Sequence, residues 1–514
     1  MTVRVPVLIS GGGIAGMTAA LLLRREGVDP VLVEKHAGVS PQPKARRFNP
    51  RSTEVFRLLG LAAEVAEASA PLASFTEVLA GPTLAAARVR EPSGTMRERR
   101  LQQARIPELS PGPNVLCPQV VLEPILRRAA EERGVSVRLG TELVSFTQDD
   151  DGVTALLKPA DGEPYELTAD YLIAADGARS PIRTALGIPR SGHGHLADNL
   201  DLYFRADLTE VVREKPFNLC EIDNPVASGA FLSVNGTDRW LFSTADFPEA
   251  HTLGDADWHD LLRIVTGIPD LDIELLSRSP WESAMRVADR FRDGRVFLVG
   301  DAAHMMPPMA AAGANTAIAD AANLAWKLAA VLAGQAAPAL LDTYHAERRP
   351  AGYAIAEASS TVRGHVGDML AAFTKPDSRH DDLPATMFGT QYPEGAFVPD
   401  GRGPAPVDHY APAGRPGTRV PHAWLDAKTS TVDLAGPGLT LLAGPDNGRW
   451  IAEADRLGLR LATVSHQHWL AEVCLPADGA LLLRPDVIVA WHSACGTPLA
   501  EAVTRVLGTA TVPA

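Results

Sequence analysis

The sequence predicts an α/β fold with α+β character: an open sheet flanked by helices and a second domain rich in strands. Three observations predict it. The apolar run Val5 to Ile9 leads into Gly11-Gly12-Gly13-Ile14-Ala15-Gly16 and then a helical stretch. Two later apolar runs end in Asp176-Gly177 and Gly300-Asp301. Between those runs, Leu202 to Leu208 and Arg239 to Ser243 alternate in the manner of half-buried strands.

The first unit reads as strand, turn, helix, strand. Val5 to Ile9 is a short buried strand, with Pro6 near its start where a missing N–H is tolerated. Ile14 to Arg25 is helical and Gly27 ends it; Pro30 to Val33 is the next strand, with Glu34 at its end and Lys35 beside it. This is the G-x-G-x-x-G arrangement of dinucleotide-binding proteins. Gly11 permits the tight turn, Gly13 lets backbone approach a pyrophosphate, and Gly16 lets helix and strand pack closely. The helix N-terminus offers free N–H groups to phosphate, and Glu34 can accept hydrogen bonds from ribose hydroxyls. The uncharged stretch Val5 to Leu23 is therefore read as strand, turn and helix rather than as a signal or a membrane span.

The second and third motifs follow the same logic. Leu143 to Gln148, Val153 to Lys158 and Tyr165 to Thr168 form a predicted meander, with turns at Asp149-Asp150-Asp151-Gly152 and Asp161-Gly162. It leads into Tyr171 to Ala175 and Asp176-Gly177. Arg295 to Val299 is a buried strand ending in Gly300-Asp301, followed by Pro307-Pro308, then Gly313-Ala314-Asn315 and a helix to about Ala333. Carboxyl ends of strands are where open α/β sheets bind ligands. Asp301 can accept a hydrogen bond from a sugar-alcohol hydroxyl, and amides after Gly313 open a helix whose N-terminus favours negative charge.

Composition narrows the function. The 514-residue chain is 46% hydrophobic, enough for two or three globular domains. Lys plus Arg is 48 against 62 Asp plus Glu, a net charge of −14 that disfavours nucleic acid and anionic membranes as partners. The cysteines Cys117, Cys220, Cys474 and Cys495 form no C-x-x-C, which argues against zinc, a dithiol site and a disulfide scaffold and suits the cytoplasm. No metal site is expected.

Several conspicuous residues read as structural. His304 reads as a satisfied histidine, Asp176 as structural rather than catalytic, and Trp281 and Trp326 as core. Arg179 and Arg183 read as a solvated face, and Arg46 and Arg47 as partners of surface carboxylates unless the ligand claims them. Residues 375–421, rich in proline and glycine, read as a linker.

The three motifs, in this order, resemble the class A FAD-dependent aromatic hydroxylases, the p-hydroxybenzoate and phenol hydroxylase superfamily. The segments Asn49-Pro50-Arg51-Ser52-Thr53-Glu54, Cys117-Pro118-Gln119-Val120-Val121-Leu122-Glu123 and Tyr410 to Leu425 resemble its aromatic polyketide hydroxylases. The resemblance covers nearly the whole chain. It implies a Rossmann-like FAD-binding domain in two parts, 1–185 and 286–395, a β-sheet substrate domain at 186–285, and a thioredoxin-like domain at 396–514. It places Gly11, Gly13, Ile14, Ala15, Gly16, Glu34 and Lys35 at the ADP half of FAD and Gln119 near the pyrophosphate or ribityl chain. Asp176 falls near the pyrophosphate, Asp301 on the ribityl chain, and Pro308, Gly313, Ala314 and Asn315 against the isoalloxazine. Arg46 is carried among the cofactor contacts, from a trio with Lys44 and Arg47, because Lys44 stands where the family commonly has arginine. A second departure is Met309-Ala310-Ala311-Ala312-Gly313, where the family often has consecutive glycines.

The implied activity is hydroxylation of a phenolic, polycyclic substrate, with NADPH or NADH as transient coenzyme, O2 as co-substrate and a flavin C4a-hydroperoxide as oxidant. No side chain is expected to be catalytic, since the flavin carries the chemistry. The alternatives are Baeyer–Villiger oxygenation or epoxidation on the same fold, and a non-catalytic flavin-binding protein. A monomer or homodimer is expected.

Overall fold

The computed structural model describes residues 3–38, 40–90, 101–245, 252–308, 311–360, 383–403, 410 and 412–509. Met309, Ala310, Ala411 and parts of the expected linker lie outside them.

Val7, Leu8 and Ile9 are fully buried because their strand is central to a sheet covered on both faces. That strand, β1 (Val3–Ser10), lies between β2 (Pro30–Glu34) and β8 (Tyr165–Ala174), and pairs in parallel with both. The third motif's strand, β15 (Val296–Leu298), extends the sheet in parallel beside β8. β5 (Ser136–Leu139) closes the other edge against β2. The expected meander is present as β6 (Thr141–Gln148) and β7 (Val153–Pro159) running antiparallel into β8, which joins Tyr165 to Thr168 and the following apolar run into one strand. Pro6 is the fourth residue of β1, one before the first residue paired with β2 (Val7↔Pro30).

Helix α1 (Ile14–Arg25) has the predicted limits. It is buried along nearly its whole length, between the sheet, α3 (Gln119–Glu132) and α5 (Ala312–Leu332). α2 (Pro50–Leu58) begins at an Asn49 cap whose side chain accepts the Ser52 N–H.

The second sheet contains β9 (Arg190–Arg205), which starts well before the expected Leu202 to Leu208 and ends at Arg205, and β12 (Arg239–Ala245), which covers the expected Arg239 to Ser243, with β10 (Phe217–Ile222), β11 (Gly229–Ser233) and β13 (Glu274–Ala288). It also takes β3 (Glu77–Gly81), which pairs in parallel with β10, and His304–Met305, which pairs with the end of β13. The sheet thus recruits chain from both sides of the expected 186–285 boundaries. One face packs on α4 (Asp255–Thr266), where Leu200, Leu202, Phe204 and Phe242 meet Trp258, Leu262 and Val265. On the other face Tyr203 and Leu241 pack with Val120 of α3.

The C-terminal part contains a four-stranded mixed sheet, β18-β17-β19-β20, built from β17 (Thr440–Ala443), β18 (Arg460–Thr463), β19 (Ala480–Leu483) and β20 (Val489–His492). Its core is continuous with Trp326 and Leu340, near the end of α5. A buried ionic cluster fastens the two together: Glu347, on α6 (Asp342–Ser359), receives both Arg484 Nη groups at 2.8 Å and Lys327 Nζ at 2.9 Å. Trp326 belongs to this core, as expected.

Candidate active site

The parallel registers Ser10↔Val33, Ser10↔Ala174 and Ala174↔Leu298 put the ends of β2, β1, β8 and β15 side by side. Glu34, the glycine turn, Asp176 and Asp301 therefore emerge along one edge, although they come from sequence regions far apart.

Steric constraints fix the turn. Gly11 has φ +113°, and a Cβ there would lie 2.1 Å from the Ala175 carbonyl oxygen. A Cβ on Gly16 would lie 1.9 Å from the Gly11 carbonyl oxygen, so α1 rests directly on the turn. Glu34 accepts the Gly12 N–H at 2.7 Å and the His36 N–H at 2.9 Å, which aims its carboxylate along the turn. Gly13 occupies the N-cap position of α1 without a side-chain acceptor, and no acidic residue follows in the first turn. A Ser or Asp cap in place of this glycine would add only roughly a few tenths of a kcal/mol of helix stability. Its absence leaves the first amides free for an anion. Lys35 is exposed just beyond Glu34.

The second helix end is similar. α5 is capped by Ala311 with φ 53°, and again neither a capping side chain nor a first-turn carboxylate is present. Gly313 and Ala314 are half-buried in its first turn. Asn315 is buried and all its hydrogen-bonding capacity goes to protein. Its Oδ1 accepts from Asn49 N at 2.9 Å and Ser52 Oγ at 2.6 Å; its Nδ2 donates to Arg47 O at 3.2 Å and Ala311 O at 2.6 Å. The side chain staples α5 to the start of α2, leaving its backbone as the part that can face a ligand. Pro308 is exposed and Pro307 buried.

Asp301 takes no hydrogen bond among the described residues, and solvent reaches it. Burial nonetheless raises its pKa, against the lowering effect of His304 and Lys44. Asp301 is thus an exposed carboxylate on the strand-end edge. Asp176 accepts the Ile182 N–H at 3.2 Å, and burial raises its pKa too. Gln119 opens α3, with its Oε1 3.3 Å from Ala45 N and its Nε2 2.6 Å from Glu123. Glu123 is fully buried and also accepts the Ser40 N–H at 3.1 Å. The residue motif around Gln119 had not singled out this role. Glu123 lies one helical turn beyond Gln119, and that i,i+4 spacing was the available signal.

Three readings need correction. Among the described residues Arg46 pairs with no surface carboxylate: it donates to Ser233 O at 3.0 Å and Asn218 Oδ1 at 2.5 Å, spanning to the second sheet, and burial pulls its pKa down to about 9. Arg183 is buried rather than on a solvated face, and donates to Ala302 O at 2.9 Å. Trp281 lies outside the apolar cores, half-exposed on the second sheet's inner face, where its Nε1 donates to Asp201 at 2.9 Å. His304 is structural but only half satisfied: it is buried and its Nε2 sits 2.6 Å from Asp320, which also receives Arg348 at 2.8 Å, while its Nδ1 has no hydrogen-bond partner among the described residues.

A dinucleotide carrying a ring system fits these features at both ends. The glycine turn leaves no room for a side chain at Gly11 or Gly16, two helix N-termini present free amides, and Asp301 takes no hydrogen bond among the described residues. Residues 4–359 match the FAD binding domain profile, and residues 413–510 the aromatic-ring hydroxylase C-terminal profile. A putative polyketide hydroxylase of Streptomyces halstedii is 39% identical over 97% of this chain and 95% of its own. Aklavinone 12-hydroxylase RdmE of Streptomyces purpurascens is 36% identical over 95% of each chain. The crystal structure of aklavinone-11 hydroxylase in ternary complex with FAD and aklavinone superposes with TM-score 0.84 at 33% identity, over 98% of this chain and 99% of that one. Fold and site together define an FAD-dependent monooxygenase. The chain belongs to the FAD-dependent aromatic-ring hydroxylase family, among the aromatic polyketide hydroxylases.

Proposed function

We propose that this enzyme hydroxylates a phenolic, polycyclic aromatic substrate of polyketide type, using NADPH or NADH and O2, with FAD held along the strand-end cleft. The observation that carries this reading is the inner face of the second sheet. It sets Asp201, Tyr203, Ser243, Ser277 and Trp281 together, a mixed polar and aromatic wall suited to a flat, hydroxylated ring system. That relatives include hydroxylases of aklavinone supports the same substrate class.

Bound FAD, once reduced by the nicotinamide coenzyme, supplies the chemistry that activates oxygen. The protein's own part is positional. The amides of Gly13, Ile14, Ala15 and Gly16 would hold the diphosphate, Glu34 and Lys35 the adenosine side, and Gln119, Asp176 and Asp301 the connecting chain. The first turn of α5, from Gly313 to Asn315, and Pro308 would meet the ring, where preorganised N–H groups stabilise negative charge. Arg46 holds the 40–48 loop to the second sheet and so shapes the boundary between cofactor and substrate. The wall of the second sheet keeps water from the reacting atoms.

The test supplies holoenzyme with NADPH, a panel of polycyclic phenols and isotopically labelled O2. The expected product keeps its ring system and gains one labelled oxygen. A lactone formed by ring expansion would replace hydroxylation with Baeyer–Villiger chemistry; coenzyme oxidation that no phenol stimulates would remove the reading.

A further inference from the structure

We propose that Asp201 accepts the proton of the substrate's phenolic hydroxyl and so activates the ring; this rests on the function proposed above. The alternation of β9 sets its side chain's direction. Leu200, Leu202 and Phe204 enter the core on the α4 side. Asn199, Asp201 and Tyr203 must therefore point the other way. Tyr203 packs there with Leu241 and Val120, the neighbour of Gln119, so this face looks into the cofactor cleft.

Asp201 lies opposite Ser243 on β12 and Ser279 on β13. One carboxylate oxygen, Oδ1, accepts from Ser243 Oγ at 2.5 Å and Trp281 Nε1 at 2.9 Å. The other, Oδ2, has no hydrogen bond among the described residues and is not sealed from solvent. An aspartate in mid-strand, with one oxygen clamped by two donors and the other open, is costly to place on a sheet and is oriented toward whatever occupies the cleft. The Lys44 ammonium acts on both Asp201 and Asp301, which ties this carboxylate to the cofactor wall.

The other charged groups nearby are engaged or face away. Arg239 of β12 meets the Tyr203 hydroxyl at 3.4 Å. Arg278 and Glu282 of β13 occupy alternate positions facing the other side, paired with Asp255 and Arg286. Burial raises the pKa of Asp201, against Ser243, Trp281 and Lys44, which makes it a better base than an exposed carboxylate. In the step, the phenolic O–H bond breaks and its proton joins Oδ2. The bonding pair stays on oxygen and enriches the ring carbons that receive the new oxygen. The Lys44 charge steadies the phenolate. No electron is exchanged, and the proton is returned to the product or to solvent.

The test compares wild type, Asp201→Asn and Ser243→Ala holoenzymes with a polycyclic phenol whose phenolate absorbs at longer wavelength. Wild type should show the phenolate band of bound ligand and Asp201→Asn should not. Hydroxylation kcat in Asp201→Asn should fall about a hundredfold or more, the span general bases contribute, with KM changed far less. Ser243→Ala keeps the carboxylate but loses a donor that lowers its pKa, so the acid limb of its kcat/KM profile should move to higher pH. If Asp201→Asn keeps the band and the turnover, the proposal fails. If that variant does not fold, an unmoved acid limb in Ser243→Ala overturns it equally. A wild-type enzyme that oxygenates no phenol would instead sink the function proposed above, so the two failures are distinct.

Discussion

Gly16→Ala is the most incisive perturbation of the cofactor site, because a methyl group there has nowhere to go. Its Cβ would sit 1.9 Å from the Gly11 carbonyl oxygen, while ordinary contact begins at 3.4 Å, so 3.4 − 1.9 = 1.5 Å of separation must be found. Both atoms belong to main-chain segments, so α1 or the turn must move. Displacing amides that bind phosphate forfeits charge-assisted hydrogen bonds of about 1.5–3 kcal/mol each. Losing two weakens FAD binding by about 10²–10⁴-fold. The same overpacking costs about 1–3 kcal/mol of fold stability, a smaller effect. The assay titrates apoprotein with FAD by flavin fluorescence and follows thermal unfolding in parallel. Gly38→Ala is the control, since its Cβ meets nothing within 4 Å, and it should alter neither readout. A Gly16→Ala protein that binds FAD within about threefold of wild type would refute the placement of the diphosphate at this turn.

Two further perturbations follow from buried polar groups. Asn315→Ala strands the Asn49 and Ser52 donors and the Arg47 and Ala311 carbonyls; it should cost about 3 kcal/mol, seen as a lower thermal midpoint and weaker FAD retention. An unchanged midpoint would contradict the staple. Glu347→Gln leaves Lys327 buried without an ion-pair partner among the described residues and Arg484 with Asp486 alone, and should cost about 3–5 kcal/mol. Burial alone would raise the Glu347 pKa, but Arg484 and Lys327 outweigh it and hold the carboxyl below the usual range. A depressed carboxylate stabilises the fold above its unfolded pKa and loses that contribution as pH falls. The gap in midpoint between wild type and variant should therefore be full at neutral pH and narrow below about pH 4.3. A gap that widens with acid would contradict the assignment.

Much of the strand-end edge was legible because its signals are local. The limits of α1 and the positions of Asp176 and Asp301 at strand ends follow from apolar runs closed by glycine and aspartate, and parallel pairing then brings them together. The second sheet was less legible because its geometry depends on distant pairing. Glu77–Gly81 joins Phe217–Ile222 across well over a hundred residues, which no periodicity announces. Arg183 looks like a surface residue in sequence because the carbonyl that receives it, Ala302, belongs to the third motif. Arg46 was tied to the cofactor by its neighbours Lys44 and Arg47, while its own partners, Ser233 and Asn218, lie on the second sheet. Asp201 did leave a trace: a carboxylate inside an alternating strand otherwise filled by Leu200, Leu202 and Phe204 departs from β-propensity and asks for a reason.

Amide hydrogen exchange of the apoprotein, alone and with saturating ligand, tests the two-ended grip on the cofactor most directly. FAD should slow exchange in the segment from Gly11 to Thr18 and in the segment from Ala311 to Ala317, while ADP, which carries only the diphosphate end, should slow the first alone. Protection by FAD that leaves either segment unchanged would contradict the cleft described here.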